Sequence, residues 1–236
     1  MRVAIIGAGP SGLVQLKNLL EAHRRFSCEP FEVMLFESYP KIGGVFLHHV
    51  YEEGELVSSK FLTAFSDFRP RRDDPDFFST DRYREYLEEY ASHFDLWNYI
   101  HLNTKVLSVA RGDSREHVVS YITPEGSMLK WDCDAIAICS GVHSSPNIPH
   151  IPGVENVPVV LHSQDFKSRE QFGKDRTVMV LGNGETGSDV SYLAITGDTK
   201  RVILCHRNGW LGAPKVRHIQ TRFIRNFVSY TDYCTR

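Results

Sequence analysis

Two glycine-rich turns are the parts of this chain whose residue types and spacing could do chemistry. Each has the pattern GxGxxG and follows an aliphatic run: GAGPSG at residues 7–12 and GNGETG at residues 182–187. In this pattern the first glycine permits a tight strand-to-helix turn, the second lets the backbone approach a pyrophosphate, and the third lets helix and strand pack closely. The N–H groups at the helix N-terminus then favour the phosphates. The pattern therefore predicts two dinucleotide-binding sites.

The residues that end the second strand of each unit distinguish the two predicted sites. At the first site this residue is Glu37, whose carboxylate can accept hydrogen bonds from ribose hydroxyls. At the second site the sequence is Cys205-His206-Arg207, where Arg207 can pair with a ribose 2′-phosphate. This difference predicts a preference for NADPH at the second site, the alternative being that Arg207 is an ordinary surface arginine. Two dinucleotides on one chain indicate a flavin and a nicotinamide that exchange a hydride, with FAD at the first turn.

No other catalytic arrangement is predicted from the sequence. The histidines lack zinc-ligand spacing, and neither a Ser-His-Asp set nor paired carboxylates can be defended, so no metal is predicted. The five cysteines include no CxxC or CxxxxC pair, which argues against a disulfide reductase and favours reduced thiols. Because 27 basic side chains nearly balance 29 acidic ones, the net charge of −2 gives no electrostatic basis for nucleic-acid binding. No apolar run approaches the ~18 residues of a membrane span, and the predicted localisation is cytoplasmic.

The first glycine turn needs a strand before it and a helix after it, and the hydrophobic pattern supplies both. The irregular, aromatic-rich stretch 39–76 is predicted to cover a ligand, and the tyrosines at helical spacing in 80–93 are predicted to face the core. Between residues 100 and 138, short β-rich runs predict a small antiparallel meander. The predicted elements are strands at Val3–Ile6, Phe31–Phe36, Val118–Thr123, Met128–Cys133 and Ala135–Cys139, and helices at Ser11–His23 and Thr80–His93.

A second strand–helix–strand unit surrounds the second glycine turn, with strands at Thr177–Leu181 and Val202–Cys205 and a helix at Thr186–Ile195. A proline-rich linker precedes it and places the domain boundary near Leu161. The predicted fold class is α/β with two Rossmann-like dinucleotide-binding domains. Residues 1–160 are predicted to form the FAD domain, which includes the meander, and residues 161–236 an apparently incomplete NADP domain. Lys215 is a further candidate for the NADP phosphates.

Several short motifs accompany the two glycine turns and Glu37. They are GGVF at 43–46, SSK at 58–60, FSDF at 65–68, CSG at 139–141 and HSQDF at 162–166. In this combination and order, over nearly the whole chain, the sequence resembles the flavin-containing monooxygenases of the dimethylaniline monooxygenase type. The resemblance implies a flavoprotein oxidoreductase in which NADPH reduces FAD and the flavin forms a C4a-hydroperoxide with O2. One oxygen atom then passes to a nitrogen or sulfur nucleophile of a small molecule.

The resemblance also implies roles for individual residues beyond the glycine turns. Val57 stands where the family has an asparagine beside the flavin, and its side chain cannot donate a hydrogen bond. Val57 and Ser58 are therefore the candidates for flavin-proximal positions. The candidate FAD-binding residues are Gly7, Gly9, Pro10, Ser11, Gly12, Glu37, Gly44, Val45, Phe46, Ser58, Ser140 and Gly141. The candidate NADP-binding residues are Gly182, Gly184, Glu185, Thr186, Gly187, Ser188, Asp189, His206 and Arg207.

Two alternative functions stay open at this point. One is a truncated flavin- or nucleotide-binding protein without turnover, because the predicted second domain is small and Val57 replaces the family's asparagine. The other is Baeyer–Villiger insertion of oxygen into a ketone, which the sequence does not distinguish from oxygenation of nitrogen or sulfur. The predicted partners are a small-molecule substrate and O2, and the sequence predicts no oligomeric state.

Overall fold

A computed structural model describes residues 1–112, 116–143, 145–207 and 228–230 of the chain. The chain forms two compact units, one of residues 1–50 and 59–145, and the other of residues 51–58 and the described residues from 146 onward. These units are defined by contacts within the chain and not by bound cofactors. The division into an FAD domain (1–160) and an NADP domain (161–236) therefore stays a prediction. Lys215 lies outside the described residues. None of the helices in the described ranges is long and apolar enough to cross a bilayer.

The first unit is built on a four-stranded parallel sheet. One of its two inner strands, β1 (Arg2–Ile6), carries the first glycine turn at its carboxyl end. Val3, Ala4 and Ile5 of this strand are buried, as expected of a strand covered on both faces. The strands of this sheet, in the order in which they pair, are β3 (Ile100–His101), β2 (Glu32–Phe36), β1 (Arg2–Ile6) and β7 (Ala135–Ile138).

Helix α1 (Pro10–Arg25) follows β1 and packs on the sheet. It begins with a proline, which has no N–H group to leave unpaired at the first helical position, and it ends in His23, Arg24 and Arg25, whose positive charge suits the helix C-terminus. Leu13 and Leu16 are fully buried on its core-facing side. The predicted strand–helix–strand unit is therefore confirmed.

Helix α4 (Thr80–His93) has the bounds that the tyrosine spacing predicts. Ser79 caps it, because the Ser79 hydroxyl accepts a hydrogen bond from the Arg82 N–H at 3.1 Å. Tyr83, Tyr86 and Tyr90 are buried, so the prediction that this face meets the core is confirmed. The buried tyrosine face packs against aromatic rings of the segment that precedes the helix.

The antiparallel meander is smaller than predicted. It consists of β4 (Lys105–Arg111), β5 (His117–Ile122) and β6 (Met128–Cys133), whereas residues 100–101 belong to the parallel sheet as β3. The predicted start of the meander at Ile100 is therefore wrong, because Ile100 is paired with Leu35 of β2. Val119 and Trp131 of the meander pack against Phe36 of the parallel sheet in one buried cluster.

The composition of the stretch 39–76 predicts an irregular segment, but the structure is regular in two places. It contains two single-turn helices, α2 (Val45–His48) and α3 (Lys60–Thr63). Helix α2 follows directly on Gly43 and Gly44, both of which have positive φ angles, 132° and 58°. Such backbone conformations favour glycine and let the chain reverse sharply into the helix.

The described residues of the second unit contain a three-stranded parallel sheet, one α-helix and two short 3-10 helices, Val154–Asn156 and Arg169–Phe172. The strands and the α-helix are β8 (Thr177–Leu181), α5 (Glu185–Thr196), β9 (Arg201–Cys205) and β10 (Val228–Tyr230). The predicted strand–helix–strand unit is confirmed, and each predicted end lies within one residue of the observed end. The third strand, β10, pairs in parallel with β9 and was not predicted from the sequence. The α/β fold with two Rossmann-like parts is thus observed.

Candidate functional site

The first glycine turn depends on two glycines that no other residue could replace without distortion. Gly7 has a φ angle of 105°, and a Cβ atom on it would lie 2.5 Å from the Cys139 carbonyl oxygen. A Cβ atom on Gly12 would lie 1.9 Å from the Gly7 carbonyl oxygen, because helix α1 passes so close to the turn. The Gly7 N–H donates to the Phe36 carbonyl at 2.8 Å, which fixes the turn beside β2.

The N-terminus of helix α1 is suited to an anion. Gly9 is its N-cap, and no side chain among the described residues caps it. The N–H groups of the first helical turn have no acceptors within the helix, so they are available to a phosphate. Gly9 has room for this approach, since the one atom of the described residues that a Cβ on it would meet within 4 Å is the Gly44 Cα, at 3.7 Å. The residues present therefore fit a bound pyrophosphate.

The GGVF segment lies against the first turn. The Gly43 N–H donates to the Ala8 carbonyl at 3.1 Å, and a Cβ on Gly44 would lie 3.2 Å from the Gly9 Cα. Phe46 packs edge-on against Tyr83 of α4, with ring centroids 4.6 Å apart. The structure thus brings these candidate flavin-lining residues to the glycine turn, with Val45 exposed beside Phe46.

Glu37 already serves the protein backbone. Its side chain is only 5% exposed; Oε2 accepts from the Ala8 N–H at 2.8 Å, and Oε1 accepts from the Tyr39 N–H at 3.0 Å. The Ser38 hydroxyl also donates to Oε1, at 3.3 Å. Since a carboxylate offers about four acceptor positions, Glu37 retains capacity for ribose hydroxyls. Sequence patterns gave no sign of this second, structural role.

The CSG motif reaches the same turn from strand β7. The Cys139 N–H donates to the Ile6 carbonyl at 2.8 Å, which extends the pairing of β7 with β1 to the edge of the turn. Ser140 and Gly141 follow at the carboxyl end of the sheet, and Gly141 has a φ angle of 81°. In open α/β sheets this end of the strands is where ligands bind.

Val57 and Ser58 belong to the second unit rather than to the unit that carries the first turn. The side chain of Val57 is 54% exposed, and Ser58 is half-buried. The structure therefore does not place these two candidates in one compact unit with the other candidate FAD-binding residues. Their proximity to a flavin stays a prediction.

The second glycine turn repeats the geometry of the first. Gly182 also has a φ angle of 105°, and its N–H donates to the Cys205 carbonyl at 2.8 Å. A Cβ on Gly187 would lie 2.2 Å from the Gly182 carbonyl oxygen. Gly184 is the N-cap of α5 with no capping side chain from the described residues, and a Cβ on it would meet none of their atoms within 4 Å. This N-terminus therefore also fits a phosphate.

The other candidates of the second turn surround this N-terminus. Glu185 and Thr186 are exposed in the first turn of α5, and Ser188 and Asp189 are half-buried. At the end of β9, next to Cys205, His206 is 5% exposed and Arg207 is exposed. The structure thus gathers the candidate NADP residues at the carboxyl ends of β8 and β9, as in other doubly wound sheets.

Tyr51 is a residue of this region that the sequence pattern did not single out. Its hydroxyl donates to the Asp189 Oδ2 at 2.7 Å, although the two residues lie 138 positions apart. Burial, together with this hydrogen bond, raises the pKa of Tyr51. The phenol is therefore protonated at neutral pH and acts as a donor.

Comparisons with known proteins point to one family. The family described as flavin-binding monooxygenase-like matches residues 1–221 of the chain. Monooxygenase cfoE of Aspergillus candidus is 58% identical over 210 residues, which cover 89% of this chain and 36% of that protein. The rat (Rattus norvegicus) dimethylaniline monooxygenase [N-oxide-forming] 4 is 32% identical over 252 residues, covering 97% of this chain and 43% of its own length.

A solved structure gives the same fold. The S-allyl-L-cysteine S-oxygenase of Allium sativum superposes with a TM-score of 0.82 at 21% identity, covering 98% of this chain and 55% of that one. At this identity the likeness concerns the fold alone. The chain spans between about a third and a half of the length of the curated relatives described above.

Proposed function

The chain belongs to the flavin-binding monooxygenase-like family, and from this premise we propose that it binds FAD at the first glycine turn and NADPH at the second and serves the oxygenation of a small molecule. The observation that supports this proposal most directly is the duplicated turn geometry. Gly7 and Gly182 share a φ angle of 105°, and each turn leads into a helix N-terminus that has no side-chain cap from the described residues. Two such anion sites on one chain suit two dinucleotides.

The cofactors of this family are FAD and NADPH, and the residues at the two glycine turns would hold different parts of each cofactor. At the first turn, the Ser11 and Gly12 N–H groups would hold the FAD pyrophosphate, and Glu37 would bind the ribose. At the second turn, Gly184 would let the backbone approach the NADPH pyrophosphate, and Arg207 would pair with the 2′-phosphate. The proposed domains are residues 1–160 for FAD and residues 161–236 for NADP.

The chemistry follows from the cofactors. When bound, the flavin would supply the oxygen chemistry through a C4a-hydroperoxide: NADPH would provide two electrons, one atom of O2 would pass to the substrate, and the other would leave as water. The residues of this chain would bind and orient the two cofactors and limit the access of water, rather than act as acids or bases. The proposed substrate is a small molecule with a nucleophilic nitrogen or sulfur atom.

The visible absorbance spectrum of the purified chain tests this proposal. The chain is incubated with FAD, desalted and mixed with NADPH under nitrogen. We expect flavin bands that survive desalting, bleach with NADPH and return when air is admitted. A colourless protein after desalting would show that the first turn of this chain does not retain FAD, and a coloured protein that does not bleach would show that NADPH does not deliver its hydride.

An Arg207→Glu variant tests the assignment of NADPH to the second turn. Because a carboxylate repels the 2′-phosphate that arginine attracts, the rate of bleaching with NADPH should fall about tenfold or more, while the rate with NADH should be little changed. Arg176→Glu, a charge reversal at an exposed position in the same unit, is the control. Equal losses with the two nucleotides would contradict the assignment.

The replacement of the family's asparagine by Val57 keeps a second function open, that of a flavoprotein whose oxygen chemistry yields no oxygenated product. An exposed valine cannot donate a hydrogen bond to stabilise activated oxygen beside a flavin. In that case NADPH oxidation would release hydrogen peroxide in equal amount. Product analysis with N,N-dimethylaniline, a thioether and a cyclic ketone separates this outcome from N-oxygenation, S-oxygenation and Baeyer–Villiger insertion.

A further inference from the structure

Tyr51 contacts the helix that begins at the second glycine turn. Its hydroxyl donates to the Asp189 carboxylate at 2.7 Å and is also hydrogen-bonded by the Thr186 hydroxyl. Thr186 and Asp189 lie three positions apart on α5, and residues at this spacing share one face of a helix. Tyr51 therefore joins two of the side chains that are candidates to contact NADP.

The backbone around Tyr51 is held in place by the same unit. The Glu52 N–H donates to the Lys167 carbonyl at 2.9 Å. The carboxylates of Glu52 and Glu53 both pair with the guanidinium of Arg169, through its Nε and Nη2 atoms respectively. These contacts set the position of the Tyr51 backbone, and the two side-chain torsions of a tyrosine leave little freedom beyond that.

The Tyr51 ring itself is also supported. It lies beside Phe166, with ring centroids 5.8 Å apart, and Phe166 stacks on Phe172 at 4.9 Å. Phe166 is 2% exposed, so this support is part of the core of the second unit. The direction in which the phenol meets Asp189 is thus set by ring contacts within the same unit.

The charge of Asp189 explains why such a fixed donor would matter. Asp189 lies about one turn inside a helix whose N-terminus is proposed to bind phosphates, and a carboxylate that turned toward them would repel them. The hydrogen bond from Tyr51 holds Oδ2, so that Oδ1 would be the oxygen that accepts from a hydroxyl of the cofactor. A phenol keeps its proton at neutral pH, and burial together with Asp189 raises the pKa of Tyr51 further, so Tyr51 remains a donor.

We propose that Tyr51 is a positioning residue for NADP, which acts by holding the Asp189 carboxylate in a fixed orientation beside the phosphate site. This inference rests on the proposed binding of NADPH at the second glycine turn. It assigns a task to a residue that lies far from that turn in the sequence and outside the glycine pattern.

Calorimetric titration of the FAD-loaded chain with NADP+ tests the inference through a double-mutant cycle. The proteins compared are the unmodified chain, Tyr51→Phe, Asp189→Ala and the double variant. Tyr51→Phe removes only the donor, and we expect NADP+ to bind about tenfold more weakly, because the released Asp189 carboxylate could then turn toward the phosphates and repel them. In the Asp189→Ala background the same change should alter affinity by less than about twofold, because its acceptor is gone.

The control is Tyr99→Phe, the same substitution in the first unit, which should leave NADP+ affinity unchanged. If the unmodified chain does not bind NADP+, the proposed function of the second turn is wrong and this inference fails with it. If the unmodified chain binds and Tyr51→Phe binds equally well, only the inference is wrong. Equal losses from Tyr51→Phe in both backgrounds would also overturn it, because Tyr51 would then act without Asp189.

Urea unfolding of each variant shows whether it is folded. If Tyr51→Phe does not fold, the comparison of Asp189→Asn with Asp189→Ala carries the test. Asparagine keeps an oxygen that can accept from the Tyr51 hydroxyl, so it should bind NADP+ more tightly than the alanine variant by about threefold or more. Equal affinities of these two variants would overturn the inference.

Discussion

The glycines of the two turns differ in what a methyl group would do at each position. A Cβ on Gly9 or Gly184 would meet open space or an ordinary contact among the described residues, whereas a Cβ on Gly12 or Gly187 would strike a backbone carbonyl oxygen at 1.9 Å or 2.2 Å. The middle glycine of each turn is therefore not required by the fold of the described residues. Its lack of a side chain fits a ligand that approaches the backbone.

We expect Gly9→Ala to weaken mainly FAD binding and Gly12→Ala to weaken mainly the fold. Gly9→Ala should leave the free energy of unfolding within about 0.5 kcal/mol of the unmodified chain, as is usual where no contact is strained, yet weaken FAD binding. Gly12→Ala should lose roughly 3 kcal/mol or more, since the clash with the Gly7 carbonyl must be relieved by backbone movement. Urea unfolding and flavin retention after desalting measure the two effects. Unchanged FAD retention in Gly9→Ala would contradict the assignment of the phosphates to this turn.

Glu37 is a single residue with two roles, of which the sequence motif indicates only the binding of ribose. The acid after β2 is typical of ribose recognition, but its carboxylate also accepts hydrogen bonds from Ala8 and Tyr39. The bond from Ala8 links the residue that follows β2 to the first turn. A substitution of Glu37 would therefore change both stability and FAD binding, which makes the glycine pair a cleaner test.

At the scale of elements, helix α4 supports the segment that lies against the first turn. Phe46 rests on Tyr83, and the loop before the helix is fastened by Asp74, which receives hydrogen bonds from Arg82 at 2.7 Å and 3.0 Å. The Arg71 N–H adds a third hydrogen bond to Asp74 at 2.8 Å. Burial alone would raise the pKa of Asp74, but the hydrogen bonds from Arg82 and Arg71 outweigh it and lower the pKa.

We expect Asp74→Asn to destabilise the fold by about 2 kcal/mol at neutral pH, the scale of a charged hydrogen bond that is mostly shielded from water. Because folding lowers the pKa of Asp74, its contribution is fully present above the unfolded pKa of about 4 and is lost as the pH falls through the folded value. The gap between the two proteins should therefore close in acid, below about pH 4. Urea unfolding across pH measures it.

The matched control for this helix anchor is Asp73→Asn, the same change at an exposed neighbouring position. It should alter the free energy of unfolding by less than about 0.5 kcal/mol at any pH in this range. A gap between Asp74→Asn and the unmodified chain that widened below pH 4 would show that the sign of the pKa shift is wrong.

At the scale of the whole molecule, the chain passes between two compact units more than once. Residues 51–58 belong to the second unit, although the residues on both sides of them belong to the first. The glycine turns lie one in each unit. Each cofactor should therefore stabilise mainly the unit that holds its own turn, since a ligand protects the states that bind it.

Hydrogen exchange with each cofactor separately tests this division. FAD should slow exchange in residues 7–12 and 37–46, and NADP+ should slow it in residues 182–189, because local protection follows local binding. NADP+ should also slow exchange near Tyr51, which belongs to the unit of the second turn. Gly9→Ala, the variant expected to bind FAD weakly, is the control. It should lose the protection that FAD gives and keep the protection that NADP+ gives. Protection of residues 7–12 by NADP+ alone would contradict the division.

The sequence by itself determined the two Rossmann-like units, their glycine turns and the tyrosine face of α4. These features are local: hydrophobic period, capping and the conformational freedom of glycine are fixed by neighbouring residues. Helix Thr80–His93 was predicted to the residue, and the predicted GxGxxG turns have the close helix–strand approach that only their third glycine allows.

Tertiary structure alone decided which distant residues meet. Four contacts join residues that no local pattern relates. They are the pairing of β3 with β2, the pairing of β10 with β9, the hydrogen bond from Ala8 to the Glu37 carboxylate, and the hydrogen bond from Tyr51 to Asp189. Such contacts depend on how the chain closes long loops, and a side chain such as Tyr51 carries no periodic signal of its partner. For this reason the sequence predicted the two cofactor sites but gave no sign of Tyr51, the residue proposed to hold the Asp189 carboxylate at the second site.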